Sequence, residues 1–150
     1  MSDLVTLRPC GFRDLPKVVE IENESFTDPY PWAEFASHIL LHRSGFVVAC
    51  IDGEVVGYVL AAREAGGEGW IRSIAVVSGC RRRGVGAALM EAAMQSLAGC
   101  DHVSLLVRSS NETAMALYRK FSFTKTGMIK GYYRDGEDAV KFQWTRAEPR

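Results

Sequence analysis

The chain has 150 residues, of which 47% are hydrophobic and 24% are charged. With 14 glycines and 5 prolines, this composition excludes the disordered, collagen-like and membrane classes of chain. The 18 basic residues balance the 18 acidic ones, so no global field attracts nucleic acid or an anionic membrane. We therefore expect a globular protein whose binding sites are local.

Features of the whole chain predict one domain and its location. No linker rich in Ser, Gly or Pro divides the sequence, so we expect a single domain over residues 1–150. The first residues lack the basic and apolar regions of a signal peptide, and no apolar run reaches about 18 residues. This pattern indicates a cytoplasmic protein that does not bind a membrane. The four cysteines are widely spaced without a C-x-x-C pair, which predicts reduced thiols and no metal site.

The first third of the chain predicts one strand and two helices. Residues 5–8 alternate as a strand does, and a helix follows from Leu15 with Asp14 as its N-cap. A second helix is predicted after Pro31 and is ended by Gly45. Its apolar face is predicted to consist of Trp32, Phe35, Ala36, Ile39 and Leu40.

The rest of the chain predicts strands interrupted by two further helices. Residues 46–51 and 55–60 form a β-hairpin around Asp52-Gly53, and a strand follows at 70–77. A helix runs from Val85 to Leu97, and a strand covers 102–108. Ser109 and Glu112 resemble a capping box for the last helix. Two closing strands, near 123–129 and 139–144, complete a mixed α/β domain.

An arginine- and glycine-rich segment, residues 81–86, stands between a predicted strand and a predicted helix. Unpaired backbone N–H groups and the positive end of the helix dipole meet there, which favours an anion. Glycines allow a phosphate to approach the backbone, so pyrophosphate is the natural ligand. A Walker site is excluded because Val85-Gly86 replaces Lys and Ser/Thr, and the third glycine of a dinucleotide fingerprint is missing. The alternative is a helix start with a solvated basic turn.

The segment Arg81-Arg82-Arg83-Gly84-Val85-Gly86 resembles the acetyl-CoA motif of the GNAT acetyltransferases, R/Q-x-x-G-x-G/A after a strand. Three further segments are similar to protein N-terminal acetyltransferases of the ribosomal alanine and archaeal Ard1 types. They are SIAV at 73–76, VRSSN through ALY to FSF at 107–123, and YYRDGEDA at 132–139. The resemblance implies an α/β GNAT fold: a central mixed, mostly antiparallel sheet of about six to seven strands, about four helices, and splayed parallel strands at the acetyl-CoA site.

The resemblance also implies which residues bind acetyl-CoA. The backbone of Ile74, Ala75 and Val76 would pair with the pantetheine arm as an added strand does. Asn111 would contact the cofactor near its reactive end. The residues that would meet the pyrophosphate are Arg81, Arg82, Arg83, Gly84, Val85, Gly86 and Ala87.

Catalytic residues are implied in the same way. Tyr118 matches the tyrosine that donates a proton to the leaving CoA thiolate, although the position also suits a core tyrosine. Relatives place a glutamate or histidine two residues before Arg108, where this chain has Leu106, and leucine cannot move a proton. Asp28, which matches an acidic residue in the substrate loop of Ard1-like enzymes, is then the candidate base or water relay. Its alternative role is that of a turn residue before proline.

The implied function is transfer of acetyl from acetyl-CoA to the N-terminal α-amine of a protein or peptide by direct attack. Tyr30, Tyr132 and Tyr133 would line the groove for that peptide, or else only pack the loops. The ribosome or a ribosomal protein is the partner that the ribosomal type implies. Two alternatives stay open: acetylation of a small amine or lysine side chain, and an acyl-CoA-binding module without activity, as Leu106 suggests.

Overall fold

The structure is a computed structural model that describes residues 4–41, 43–81 and 83–147. Within these ranges the chain forms four helices and seven strands, as the sequence predicts. The helices are α1 (Leu15–Ser25), α2 (Trp32–Leu41), α3 (Val85–Ser96) and α4 (Glu112–Lys120). The strands are β1 (Val5–Pro9), β2 (Phe46–Ile51), β3 (Glu54–Arg63), β4 (Glu68–Val76), β5 (His102–Arg108), β6 (Thr124–Ile129) and β7 (Ala139–Thr145).

The strands form a single sheet in the order β1-β2-β3-β4-β5-β7-β6. Neighbouring strands run antiparallel, except for the parallel pair β4 and β5. Parallel strands need a long crossover connection, and α3 lies in that connection. The structure therefore confirms the predicted mixed, mostly antiparallel sheet.

Two apolar clusters pack on opposite faces of the sheet. Val18 of α1 and Phe35 of α2 belong to one cluster, and Leu89 of α3 belongs to the other. Successive strand residues point to opposite faces, and Tyr58 and Val59 of β3 accordingly join different clusters. Because both faces are covered, β3 is buried along nearly its whole length.

Asp14 is the N-cap residue of α1, as predicted, but its side chain makes no capping hydrogen bond to the helix. The carboxylate instead accepts hydrogen bonds from Arg8 Nη1 at 2.7 Å and Arg8 Nη2 at 2.9 Å, and from the Gly11 backbone N–H at 2.8 Å. These charge-assisted bonds outcompete a neutral cap. They lower the pKa of Asp14, with the Arg8 hydrogen bond as the largest cause.

The predicted capping box at Ser109 and Glu112 is also wrong. Helix α4 begins at Glu112, and its N-cap is Asn111, whose Oδ1 accepts a hydrogen bond from the Ala114 backbone N–H at 3.1 Å. Ser109 faces Glu137 instead, with 3.3 Å between its Oγ and Oε2. Ser109 and Asn111 are both candidate caps, and the contact of Ser109 with the distant Glu137 leaves Asn111 as the N-cap.

Helix α2 buries a narrower face than its sequence pattern predicts. Phe35 and Ile39, one turn apart, are buried, whereas Trp32 is 54% exposed and Leu40 is 73% exposed. The helix ends at Leu41 rather than continuing to Gly45, which lies in a short 3-10 turn. The buried face of α2 consists of Phe35, His38 and Ile39, with Ala36 partly buried against the same cluster.

Candidate active site

The parallel strands β4 and β5 separate after a short paired segment. Their register covers only Glu68–Trp70 of β4 against His102–Ser104 of β5. On its other side β4 has a register shift against β3, where Ser73 opposes Leu60 but Ile71 opposes Ala61, so Arg72 is the extra residue. A bulge of this kind bends a strand and increases its twist. The predicted splay of the parallel strands is therefore present.

A cavity of about 800 Å³ lies at the splay. Its wall comes from α1, β4, β5, α4 with its N-cap, and two loops, the α1–α2 loop (residues 26–31) and the β6–β7 loop (residues 130–138). The predicted site residues that line it are Asp28, Tyr30, Ile74, Asn111, Tyr118, Tyr132 and Tyr133. The fold thus gathers residues that are more than 100 positions apart in sequence. Ala75, Val76 and the described residues of the segment 81–87 are not part of this lining.

The end of β4 offers a strand edge toward the splay. Ile74, Ala75 and Val76 pair with β3 on one side, while the described register with β5 stops four residues earlier, at Trp70. An antiparallel strand directs only part of its N–H and C=O groups to one neighbour. The remaining groups of this segment face the gap, where an extended amide chain can pair with them.

The segment after β4 leads to the start of α3. Gly84 is the N-cap, with a left-handed φ of 78° and no side-chain cap. A Cβ at Gly86 would lie 3.2 Å from Leu117 Cδ2, so this glycine lets α3 approach α4. Arg81 is exposed, and its Nε donates a hydrogen bond to the Val76 carbonyl at 3.2 Å. Arg82, also predicted to meet pyrophosphate, lies outside the described residues.

Tyr118 on α4 reaches the cavity from the apolar cluster on the α3 side. It is 6% exposed, and its ring packs against Phe123 and Phe142. Burial raises the pKa of the Tyr118 phenol above its usual value, with a smaller contribution from Tyr133. The residue is therefore a core tyrosine that also lines the cavity, and it keeps its proton near neutral pH.

Asp28 lies on the cavity wall with its charge balanced by two arginines. Its Oδ2 accepts a hydrogen bond from the Arg134 backbone N–H at 2.9 Å. Arg108 Nη2 is 3.9 Å and Arg134 Nε is 3.8 Å from its carboxylate oxygens. Asp28 therefore joins the α1–α2 loop to the β6–β7 loop, a role that its position before a proline does not reveal.

Aromatic residues form the open part of the cavity. Tyr132 and Tyr133 pack edge to face with their ring centroids 5.0 Å apart, and Tyr30 packs against Phe35 at 6.1 Å. Burial raises the pKa of Tyr133 to about 12 and also raises the pKa of Tyr30. Both phenols are neutral hydrogen-bonding groups near pH 7.

Arg108, at the end of β5, links both loops around the cavity. Its Nη1 donates hydrogen bonds to Asp135 at 2.9 Å and Glu137 at 2.8 Å, and its Nη2 donates to Thr27 Oγ1. The guanidinium also lies 4.1 Å from the centroid of the Tyr133 ring. Such a planar, bidentate group holds loops more firmly than a point charge.

Glu22 is a second acidic residue on the cavity wall, and sequence reasoning missed it. It is 2% exposed. Its Oε1 accepts hydrogen bonds from the hydroxyls of Tyr58 and Ser73, and its Oε2 accepts one from the Tyr30 backbone N–H at 2.9 Å. A signal was present in the sequence, because Glu22 follows Leu15 and Val18 on the helical spacing of the buried stripe.

Leu106 lines the cavity at the position where relatives were expected to have a proton acceptor.

Across residues 4–41, 43–81 and 83–147, no group of three or more His, Cys, Asp or Glu side chains is placed to hold a metal. In the same part of the chain, no helix combines the length and apolar character needed to cross a bilayer.

Comparison with known proteins agrees with this geometry. The acetyltransferase (GNAT) family matches residues 15–123. An N-alpha-acetyltransferase of Saccharolobus solfataricus is 36% identical, and the match covers 89% of each chain. The crystal structure of Ard1 from Thermoplasma volcanium superposes with a TM-score of 0.90 at 30% identity, over 96% of this chain and 99% of that one.

A second solved structure is that of the ribosomal-protein-S18-alanine N-acetyltransferase from Escherichia coli. Its TM-score is 0.83 at 26% identity, with 98% of this chain and 97% of that chain covered. The family resemblance inferred from the sequence motifs is confirmed by these matches. The chain therefore belongs to the acetyltransferase (GNAT) family of enzymes.

Proposed function

We propose that this enzyme transfers acetyl from acetyl-CoA to the N-terminal α-amine of a protein or peptide. The observation that carries the proposal is the cavity at the splay of β4 and β5, which continues into an aromatic groove between two loops. The relatives named as N-alpha-acetyltransferases, one of which shares 36% of its residues, support the same substrate class.

The residues present fit acetyl-CoA. An unpaired strand edge at 74–76 suits an amide-bearing arm, and Gly84 leads into a helix N-terminus without a side-chain cap. Such a terminus binds the anionic phosphates of a ligand. Acetyl-CoA, when bound, supplies an acetyl group activated as a thioester. The chain's role is to hold it along this edge and to leave the cavity open for the acceptor.

Tyr118 is the proposed acid. Its buried phenol is protonated near neutral pH, so it can donate a proton to a thiolate leaving the cavity. Asn111, whose side chain caps α4, borders the same cavity, and its proposed role is to contact the cofactor near its reactive end. Direct attack by the amine needs no covalent enzyme intermediate, so positioning of the two reactants supplies much of the rate.

Tyr30, Tyr132 and Tyr133 are the proposed walls for the first residues of the peptide. Asp28 and Arg108 hold the two loops that carry them. An α-amine has a pKa of about 7.7–8.0, against about 10.4 for lysine, so an N-terminus loses its proton more readily. A site with Leu106 in place of an acid suits the N-terminal amine better than a lysine side chain.

A ribosomal protein is a reasonable acceptor because one structural neighbour acts on alanine of ribosomal protein S18. We also keep the prediction that the enzyme is cytoplasmic, because the N-termini of newly made proteins are available in the cytoplasm.

The test measures CoA release from acetyl-CoA with peptides that differ in their first two residues. N-terminally blocked peptides, with and without a lysine, and free polyamines serve as controls. We expect turnover of peptides with a free N-terminus and none of their blocked counterparts. Turnover only of the lysine peptide or polyamines would replace the proposed substrate. Acetyl-CoA binding without turnover of any amine would indicate an inactive binding module.

A further inference from the structure

Glu22 is a buried carboxylate that the proposed reaction does not yet use. It lies on α1 beneath the cavity, 2% exposed, and it is held by groups from three other elements. Tyr58 of β3 and Ser73 of β4 donate to its Oε1, the latter at 2.7 Å. The Tyr30 N–H of the α1–α2 loop donates to its Oε2. All three donors are electrically neutral.

The other charged groups on the cavity wall are balanced by opposite charges. Asp28 faces two arginines, Arg108 binds two acids of the β6–β7 loop, and Arg72 donates to Glu64. Burying a carboxylate with only neutral donors is costly. Glu22 thus presents an unbalanced negative charge next to the space where the proposed substrate brings an ammonium group.

The groups that face Glu22 are poor competitors for a proton. Burial, followed by the charge of Glu22 itself, raises the pKa of Tyr58 far above its usual range. Burial likewise raises the pKa of Tyr30. Both phenols therefore stay neutral. From β4 the nearest cation is Arg72, next to Ser73 in sequence, and it is occupied by its acidic partner.

Ser73 connects this carboxylate with the cavity. It immediately precedes Ile74, at the bulge where β4 leaves β5, and both residues line the cavity. Its Oγ donates to Glu22 Oε1 and lies 3.3 Å from the Tyr58 hydroxyl. A hydroxyl that donates to a carboxylate keeps lone pairs free to accept a proton on its other side.

We propose that Glu22, acting through the Ser73 hydroxyl, accepts the proton that the substrate α-ammonium must lose before it attacks. This inference rests on the proposed function. One N–H bond of the ammonium breaks as its proton moves to Ser73 Oγ, and the original hydroxyl proton moves to Glu22 Oε1. The ammonium becomes a neutral amine and the carboxylate a neutral acid, so charge is conserved. Ser73 ends unchanged.

The experiment compares kcat/KM of the full-length enzyme with Glu22→Gln and Ser73→Ala, using one peptide substrate across a range of pH. Without the acceptor, the enzyme depends on amine that has already lost its proton in water. That fraction rises about twentyfold between about pH 6.5 and about pH 9 for an α-amine of ordinary pKa. The ratio of wild-type to variant kcat/KM should therefore fall about twentyfold over this range for both variants.

Two controls separate proton transfer from a structural role. Tyr58→Phe removes one hydrogen bond to Glu22 but keeps both Glu22 and Ser73, so its loss of kcat/KM should be small and the same at every pH. The acetylated product peptide carries no ammonium. Its affinity, measured by calorimetry in the presence of CoA, should match wild type in Glu22→Gln and Ser73→Ala if these residues act on the proton.

Several outcomes overturn the inference. A wild-type to variant ratio that is constant with pH, or a parallel loss of product-peptide affinity, would mean that Glu22 only holds the groove. A pH-dependent loss in Asp28→Asn, with Glu22→Gln unaffected, would transfer the role to Asp28. Absence of wild-type turnover with any free N-terminus would instead refute the proposed function, so the two failures are distinguishable.

Discussion

Replacing Arg108 with alanine should loosen the peptide groove without disturbing the cofactor site. Arg108 donates to Asp135 and Glu137 of the β6–β7 loop and to Thr27 of the α1–α2 loop. It also lies over the ring of Tyr133. Alanine removes all of these contacts at once, and none of them involves a described residue of the segment 81–87.

The expected magnitude follows from the exposure of the guanidinium. A hydrogen bond to a charged group contributes about 1.5–3 kcal/mol, and exposed ion pairs contribute about 0–1 kcal/mol. The Arg108 side chain is 18% exposed, and that of Asp135 is 51% exposed. Loss of Arg108 should therefore cost about 2 kcal/mol in unfolding free energy, well below a sum over its contacts. For a domain of this size that lowers Tm by about 4–8 °C.

The Arg108→Ala substitution should weaken peptide binding while leaving acetyl-CoA binding nearly unchanged. With both loops released from β5, the walls at Tyr30 and Tyr133 no longer hold a fixed spacing. We expect the KM for peptide to rise roughly tenfold, equivalent to about 1.4 kcal/mol of lost binding. The Kd for acetyl-CoA should stay within about twofold, because that affinity depends on groups outside this network. Steady-state kinetics and calorimetry measure the two quantities separately.

Arg108→Lys is the matched control. Lysine keeps the charge but cannot bind two acids in a planar fork or stack on Tyr133 in the same way. It should recover part of the stability and little of the peptide KM. The reasoning would be refuted if Arg108→Ala left the peptide KM unchanged, or if acetyl-CoA affinity fell as far as peptide affinity did.

Four further predictions concern other parts of the molecule. Tyr118→Phe should lower kcat about a hundredfold at unchanged acetyl-CoA affinity; an unchanged kcat in steady-state assays would remove it as the acid. Gly84→Val should weaken acetyl-CoA binding about tenfold or more in calorimetry, because a β-branched residue strains the φ of 78°; an affinity equal to that of wild type would contradict the proposed binding of pyrophosphate at this segment. Gly45→Ala should cost about 1–3 kcal/mol in urea unfolding, since its Cβ would lie 2.1 Å from the Ala61 carbonyl oxygen. Hydrogen bonds from Ser110 and Arg108 lower the pKa of Glu137 to about 2, so its stabilising effect should be present above about pH 4.3 and lost toward about pH 2, and acid unfolding of Glu137→Gln should lack that component.

Local sequence rules predicted most of the fold. The hairpin around Asp52-Gly53 and the helix from Val85 depend on turn residues and on apolar spacing within about 15 positions. The structure confirms these features, which depend only on residues close in sequence. The pattern of the segment 81–86 likewise predicted that a helix begins after a strand, and α3 does begin at Val85.

Predictions failed where a distant group competed for the same atoms. Ser109 and Asn111 are equally good caps by local rules. Glu137, from the β6–β7 loop, contacts Ser109 and accepts a hydrogen bond from the Ser110 N–H at 2.8 Å. Helix α4 therefore begins after Asn111 rather than after Ser109, and the predicted capping box does not form. Asp14 was similarly occupied by Arg8 from β1.

The sequence by itself determined the family, the order of the elements and seven of the twenty residues that line the cavity, because these follow from motifs and from local periodicity. Only the tertiary structure decided which partners the charged residues of the cavity contact. Glu22 meets Tyr58 and Ser73 from positions 36 and 51 residues away, and Arg108 meets Thr27 across 81. Such contacts depend on how the sheet and helices pack. A local sequence pattern therefore does not predict which acidic residue pairs with an arginine and which is buried among neutral groups.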